Sequence, residues 1–242
     1  MGKISLSVVV PTRNEEKIVK GNLKKINGFI SRLDSVSGYE IIVGDYSTDS
    51  TPEIVKRLSM EIPAIRYEKA EKRGIGEGLR HAINAASKEV VLFYPIDLTY
   101  SLETVGWMLH GIAEDGVDVA LGSRRAKGGK EIKSLKRKLF SNAYAMLINI
   151  MFGLGIKDTQ GLLAFRREKV GFLDAIKSND GFFQTEVLLY SRMKGLNIKE
   201  YPVTQRDRPG EESNVNPFRE GCSMLKKVIG KFYEIRIKGK KI

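Results

Sequence analysis

At 242 residues, with 42% hydrophobic and 29% charged side chains, the chain is long enough for one sizeable α/β domain and too apolar for disorder. A single cysteine, Cys222, excludes an internal disulfide and fits a reducing compartment. The formal net charge of +12 asks for an anionic partner, ordinarily nucleic acid or an anionic membrane surface.

The first residues, MGKISLSVVVPTRNEE, turn polar after a short apolar run with no small-residue cleavage pattern, so no signal peptide is read. Apolar, β-rich runs cover 5–12, 40–45, 64–70, 90–95 and 119–124. Amphipathic stretches lie between them near 15–34, 51–60, 75–87 and 102–114. The runs are nearly continuous in apolar residues, as expected of strands covered on both faces. Their alternation with helices predicts a mostly parallel sheet with right-handed crossovers. In "STPE", Ser50 and Glu53 stand at capping-box spacing with Pro52 in the first turn.

Past residue 126 the character changes. A Lys-rich linker (127–138) leads into a long helix near 134–153, then the segment 158–168, a helix near 184–195, a strand at 197–203, a polar loop and a final helix from about 217. The expected division is a domain over 1–215 and a basic C-terminal helix and tail over 216–242. In 226–242 seven Lys/Arg face one Glu. The apolar run 139–156 is broken by Ser141, Asn142 and Asn149, so no transmembrane span is expected. Leu135, Leu139, Ala143, Met146, Leu147, Ile150 and Met151 form a broad stripe on the long helix. That stripe suits a core helix or one lying on a bilayer beside its basic flank. No aromatic residues interleave with base-reading polar groups and no nucleic-acid-binding signature is present, so the membrane surface is the favoured partner and nucleic acid is not expected.

Ligands of open parallel sheets bind at the carboxyl ends of the strands. The unusual polar clusters fall there: Thr12-Arg13-Asn14-Glu15, Asp45, Asp97 and Ser123-Arg124-Arg125. Asp45, directly after a buried strand, must accept hydrogen bonds. Its donors are either a nucleotide base or ribose or, if Asp45 and Asp49 cap the next turn and helix, the chain itself. In "KRGIGEG", Lys72 and Arg73 precede glycines at 74, 76 and 78 that open a helix, an arrangement suited to phosphate. In "VLFYPIDLTYS", Asp97 stands where an apolar run stops.

Taken in order, these stretches resemble the family-2 inverting glycosyltransferases of the GT-A fold, specifically the dolichol-phosphate mannosyltransferase branch, over about residues 5–215. The carrying motifs are Val10-Pro11-Thr12-Arg13-Asn14-Glu15, Val43-Gly44-Asp45-Tyr46-Ser47-Thr48-Asp49-Ser50-Thr51, Arg73-Gly74-Ile75-Gly76 and Gly122-Ser123-Arg124. Further along come Arg137 with Ser141, Asp158-Thr159-Gln160-Gly161 through Phe165-Arg166, Gln184 with Glu186, and Arg208-Pro209-Gly210-Glu211-Glu212-Ser213. The resemblance implies a Rossmann-like GT-A domain that moves a hexose, mannose favoured, from a nucleotide diphosphate sugar to a polyprenyl (dolichyl) phosphate with inversion. GDP-mannose is the favoured donor and a UDP-sugar the alternative. The protein would sit peripherally on the cytoplasmic face of the membrane.

By motif match, Pro11, Arg13, Glu15, Asp45, Arg73, Gly74, Gln184 and Glu186 would bind the donor. Arg124, Arg137 and Ser141 would hold the acceptor phosphate, where bidentate arginine geometry suits its oxygens. Arg208 would close over the diphosphate. Asp97, with Thr99, would hold Mg²⁺ or Mn²⁺, and Asp97, Arg124 and Arg208 would be the catalytic set. The sequence departs from the branch at Pro95, where the first Asp of an Asp-x-Asp pair is expected. It departs again at Gly44 for an acid, Arg13 for an aromatic and Asn214 for a lysine. Two readings stay open: a transferase with a weakened metal site, and a relative that binds nucleotide or lipid phosphate without transfer.

Overall fold

The computed structural model describes the backbone of residues 2–132, 135–206 and 217–237, and the side chains of these except 135–137, 140, 217–224 and 236–237. In chain order its elements are β1 (Ile4–Thr12), α1 (Val19–Ile30), β2 (Val36–Asp45), α2 (Thr51–Glu61), β3 (Ile65–Lys69) and α3 (Ile75–Asn84). Then follow β4 (Val90–Phe93), α4 (Glu103–Glu114), β5 (Val119–Ser123), β6 (Lys130–Ile132) and α5 (Leu135–Phe152). The chain continues through β7 (Leu162–Arg166), α6 (Phe182–Met193), β8 (Ile198–Pro202), β9 (Thr204–Arg206) and α7 (Pro217–Phe232).

Seven strands form one sheet in the order β3-β2-β1-β4-β7-β5-β8. The β1–β2, β1–β4, β2–β3 and β5–β8 pairings are parallel. β7, from the segment 158–168, runs antiparallel to both β4 and β5. β6 and β9 pair in a small second sheet, so part of the expected Lys-rich linker is a strand.

The near-continuous apolar runs are explained by helices on both faces. Leu6, Val8 and Val10 of β1, with Ile41 and Val43 of β2 and Leu92 of β4, join a core containing Leu23 of α1, Val55 of α2 and Met108 of α4. The alternate residues Val9, Ile42, Val91 and Phe93 point into a second core with Leu79 of α3, Ile148 of α5 and Val187 of α6. A strand buried on both sides has no polar face to alternate with.

Two local expectations change. The Ser50 side chain makes no cap bond. Asp49 Oδ1 instead accepts the Thr51 N–H at 3.0 Å, and Glu16 Oε2 accepts that of Ser50 at 3.1 Å. Glu53 remains in the first turn, where a carboxylate favours the helix dipole. α7 is not set apart from the domain either. Val228 is fully buried in the second core, and Phe232 meets Phe152 of α5 edge-on at 5.9 Å. α7 thus contributes to the same core as α3, α5 and α6. Among the described residues no helix is long and apolar enough to cross a membrane.

Candidate active site

The ends of β1 and β2 lie in register, with Thr12 opposite Asp45. Asp45 is buried, and four groups satisfy it. Thr12 Oγ1 and Ser47 Oγ donate to Oδ1 at 2.6 and 2.5 Å. The Ser47 N–H and the Tyr67 hydroxyl donate to Oδ2 at 3.2 and 3.4 Å. Burial, and then the charge of Asp45, push the Tyr67 phenol up to about 12, so it stays a donor. The loops beyond are laced together. Asn14, at a left-handed φ of 55°, accepts the Thr48 N–H on Oδ1 at 2.9 Å. The N–H groups of Asn14 and Glu15 donate to Ser47 Oγ at 2.8 Å and Thr51 Oγ1 at 2.9 Å. Asp45 thus organises both loops from inside.

Around this frame Pro11, Arg13, Glu15, Arg73 and Gly74 line one cavity of about 300 Å³. Tyr46 lines it too, and also a neighbouring cavity of about 590 Å³ that includes Asp45, Tyr67, Lys69 and Glu71. Gly44 has a packing reason: a Cβ there would overlap the Gly78 carbonyl, because α3 lies directly on β2. Gly74, at φ 146°, lies so close to the Asn179 carbonyl that any side chain would overlap it. Of the amides at the start of α3 expected to suit a phosphate, that of Gly76 already donates to Asn179 O at 3.0 Å.

Asp97 follows β4 on a loop where Leu98 takes a φ of 53°. This half-buried carboxylate accepts the Thr99 N–H on Oδ1 at 3.1 Å. Thr99 O accepts the N–H of Arg206 on β9 at 2.8 Å, and Tyr100 bridges Gln205. The Tyr94 hydroxyl donates to Tyr100 O at 2.5 Å, and burial pushes both phenols above their ordinary pKa. β9 therefore runs beside the Asp97 loop just before 207–216; Arg208 and Asn214 lie outside the described residues. No group of three or more His, Cys, Asp or Glu that could hold a metal occurs among the described residues. One carboxylate with a hydroxyl two residues on fits an ion that keeps water and phosphate oxygens as its other ligands.

Beyond the end of β5, Arg124 is buried and every guanidinium N–H has a partner. Nε and Nη2 bind Asp158 in a fork, both at 2.6 Å. Nη1 donates to Glu131 and Gln205 at 3.0 Å each, and Nη2 reaches Ser141 Oγ at 3.5 Å. Burial works against the charge on Arg124, but the Asp158 bonds and charge outweigh it and the pKa moves up. For Asp158 burial raises the pKa, Arg124 outweighs that, and the net shift is downward. A phosphate could reach Arg124 only by exchanging one of these partners. Arg125 is more open, its side chain 19% exposed against 4% for Arg124. It donates to Ser141 Oγ at 2.7 Å and to Asn142 Oδ1 at 2.6 Å. Ser141 is thus at this cluster, while the side chain of Arg137 lies outside the described ones.

Gln184 and Glu186 of α6 line neither cavity. Gln184 Nε2 donates to Gly161 O at 3.2 Å. Glu186 accepts the Ser178 N–H at 3.2 Å on Oε2 and pairs through Oε1 with Lys231 of α7 at 2.6 Å. Asp158, Glu131, Gln205 and Lys231 were not among the expected site residues. Asp158 alone had a sequence signal, since it opens one of the matched motifs.

A parallel sheet interrupted by one antiparallel strand, with a cavity at its carboxyl edge beside a strand-end aspartate, is an arrangement compatible with the GT-A fold. The chain belongs to Glycosyl transferase family 2, whose family profile matches residues 7–171. It is 30% identical over 236 residues to the Dolichyl-phosphate hexose transferase of Haloferax volcanii, covering 96% of each chain. It is 29% identical over 217 residues to the Dolichol-phosphate mannosyltransferase of Pyrococcus furiosus, covering 88% of this chain and 59% of that protein. Among solved structures, Mycobacterium tuberculosis glucosyl-3-phosphoglycerate synthase with Mn²⁺, UDP and glucosyl-3-phosphoglycerate has a similar fold (TM-score 0.63, 20% identity, 96% of this chain and 79% of that one).

Proposed function

We propose that this protein transfers a hexose, with inversion, from a nucleotide diphosphate sugar to a polyprenyl phosphate on the cytoplasmic face of a membrane. One observation carries the reading: β9 binds the Asp97 loop through Arg206 and holds Arg124 through Gln205, so donor-side and acceptor-side groups share one support. The end-to-end likeness to a dolichyl-phosphate hexose transferase supports the same acceptor class.

The donor nucleotide enters the cavity formed by Pro11, Arg13, Glu15, Arg73 and Gly74. Asp97 and Thr99 would hold Mg²⁺ or Mn²⁺, which when bound would supply positive charge against the leaving diphosphate. The acceptor phosphate is already an anion, so no strong general base is needed. What is needed is cationic charge to bring two anions together. Arg125 and Ser141, joined by Arg137, face the acceptor phosphate, and the Arg124–Asp158 pair fixes their frame. Arg208, two residues past β9, closes over the diphosphate. The bilayer contact is the outward apolar residues of α5 and α7, Leu139, Met146 and Ile150 with Leu225 and Ile229, and Tyr233 just past α7. The surrounding positive charge adds salt-sensitive attraction to anionic lipid.

The test is transfer of radiolabelled mannose or glucose from GDP-mannose or UDP-glucose to a polyprenyl phosphate with Mn²⁺. Product that disappears in Asp97→Ala is the expected result. Pro95, in place of a second acid, favours a second reading, binding without transfer. Calorimetric binding of either donor with no product would establish that one, and neither binding nor product would remove both.

A further inference from the structure

We infer that Lys231 of α7 is a positioning residue for the donor cavity, acting through Glu186 and the 176–180 segment on the first turn of α3. The inference rests on the donor reading above and adds to it a residue far from the cavity in sequence and not in contact with it.

Lys231 is half-buried, its side chain 10% exposed. It binds Glu186 Oε1 at 2.6 Å, Glu234 Oε2 at 2.9 Å and the Tyr190 hydroxyl at 3.0 Å. Burial opposes the charged form, but the bonds to Glu186, Tyr190 and Glu234 outweigh it and the pKa rises. Glu186 is itself almost wholly buried, and its second oxygen accepts the Ser178 N–H at 3.2 Å. A buried carboxylate is stable as an anion only while such partners remain. Lys231 is therefore the cation that fixes one oxygen of Glu186 while the other faces the Ser178 N–H.

The segment held by Glu186 is the backing of α3. Asn179 O accepts the Gly76 N–H at 3.0 Å, and Ser178 O and Ile176 O accept Arg80 Nη2 at 3.2 and 2.9 Å. Arg80 Nη1 reaches Asn179 Oδ1 at 3.1 Å. Gly74, in its left-handed conformation, packs on the Asn179 carbonyl, and with Arg73 it lines the donor cavity. The path from Lys231 to the cavity wall is a sequence of direct contacts through buried or half-buried groups. Lys227 pairs with Asp180 in the same segment, but both partners are well exposed and the pair is worth little. Lys231 is the stronger grip.

The test is titration of GDP and UDP with Mn²⁺ into wild-type protein and three variants, followed by separate KM measurements for donor and acceptor. Lys231→Met should weaken nucleotide binding about tenfold and raise donor KM alone, leaving acceptor KM within about twofold. Adding Glu186→Gln should restore most of the affinity, because the amide oxygen still accepts the Ser178 N–H and no buried charge remains. Lys231→Arg, which keeps the charge, should fall between. If Lys231→Met does not fold, the double variant and Lys231→Arg still give the ordering. The inference is overturned if Lys231→Met lowers the melting temperature while nucleotide affinity holds, if donor and acceptor KM rise together, or if the double variant is no better than the single. A wild-type protein that binds neither nucleotide removes the donor reading and this inference with it.

Discussion

Where β1 and β2 end, two loops are laced together by short polar side chains; beyond the end of β5, a guanidinium and a carboxylate are buried against each other. On the first edge Ser47, Thr48, Thr51 and Asn14 hold the backbone by bonds of 2.8–2.9 Å at partly exposed positions. Each such bond contributes about 1 kcal/mol. On the second edge Arg124 and Asp158 are 4% and 0% exposed, so their charges are held by each other and by Glu131 and Arg125 rather than by water. The difference bears on function. Lacing by small polar groups leaves Arg13 and Arg73 exposed at the cavity, whereas the Arg124–Asp158 pair is matched internally and acts as a frame. The more open Arg125 also pairs with Asp158, at 3.2 Å, so it belongs to the same ionic frame while keeping part of its guanidinium exposed.

The sharpest way to break this contrast is Asp158→Ala. It leaves Arg124 buried without its fork and should cost about 3–5 kcal/mol in urea unfolding. The pair's pH dependence has a definite sign. The Asp158 pKa lies below its ordinary 3.8, so its contribution is complete above that value and is lost as pH falls through the depressed one. A loss near 1 kcal/mol would mean the pair is no stronger than a single hydrogen bond of the loop lacing.

The donor half has its own buried acid, far from the cavity, and it isolates charge from function. Glu40 accepts from Ser7 Oγ, the Ser87 N–H and Arg66 Nη1, each at 2.7 Å. Burial raises its pKa, but the bonds from Ser7, Ser87 and Arg66 bring it down to about 2 from an ordinary 4.5. Its stabilisation is present above pH 4.5 and lost as pH falls towards 2. Glu40→Gln should cost about 3 kcal/mol at neutral pH, flatten the stability curve across that acid window, and leave nucleotide binding unchanged. A shifted nucleotide affinity would show that the two ends of the sheet are coupled.

What was legible in the sequence follows the same division. Strands β1, β2, β4 and β5 announce themselves because burial on both faces leaves unbroken apolar runs, and Pro11, Arg13 and Glu15, which line one cavity, sit at the end of the first of them. The direction of β7 was not legible, since periodicity carries no direction. β6 and β9 were missed because three residues in a charged context show no pattern. The ionic frame was hidden for another reason: Asp158 and Gln205 lie 34 and 81 residues from Arg124, and pairing over such spans leaves no local trace. The contact of Glu186 with Lys231, distant in the chain, leaves no local trace either.

The smallest expected effect tests the lacing itself. Asn14 does two things: its side chain accepts the Thr48 N–H, and its backbone holds a left-handed φ that asparagine tolerates better than alanine. Asn14→Ala loses both and should cost about 1–2 kcal/mol. Asn14→Gly keeps the backbone freedom and loses the bond alone, so it should fall nearer 1 kcal/mol. Because Arg13 and Tyr46 flank the same cavity and are held by these loops, nucleotide affinity should fall about threefold in both variants. Equal stability losses in Ala and Gly would assign the whole effect to the hydrogen bond. A loss as large as that of Asp158→Ala would show that the exposed loops carry as much as the buried pair, and would erase the distinction between the two edges.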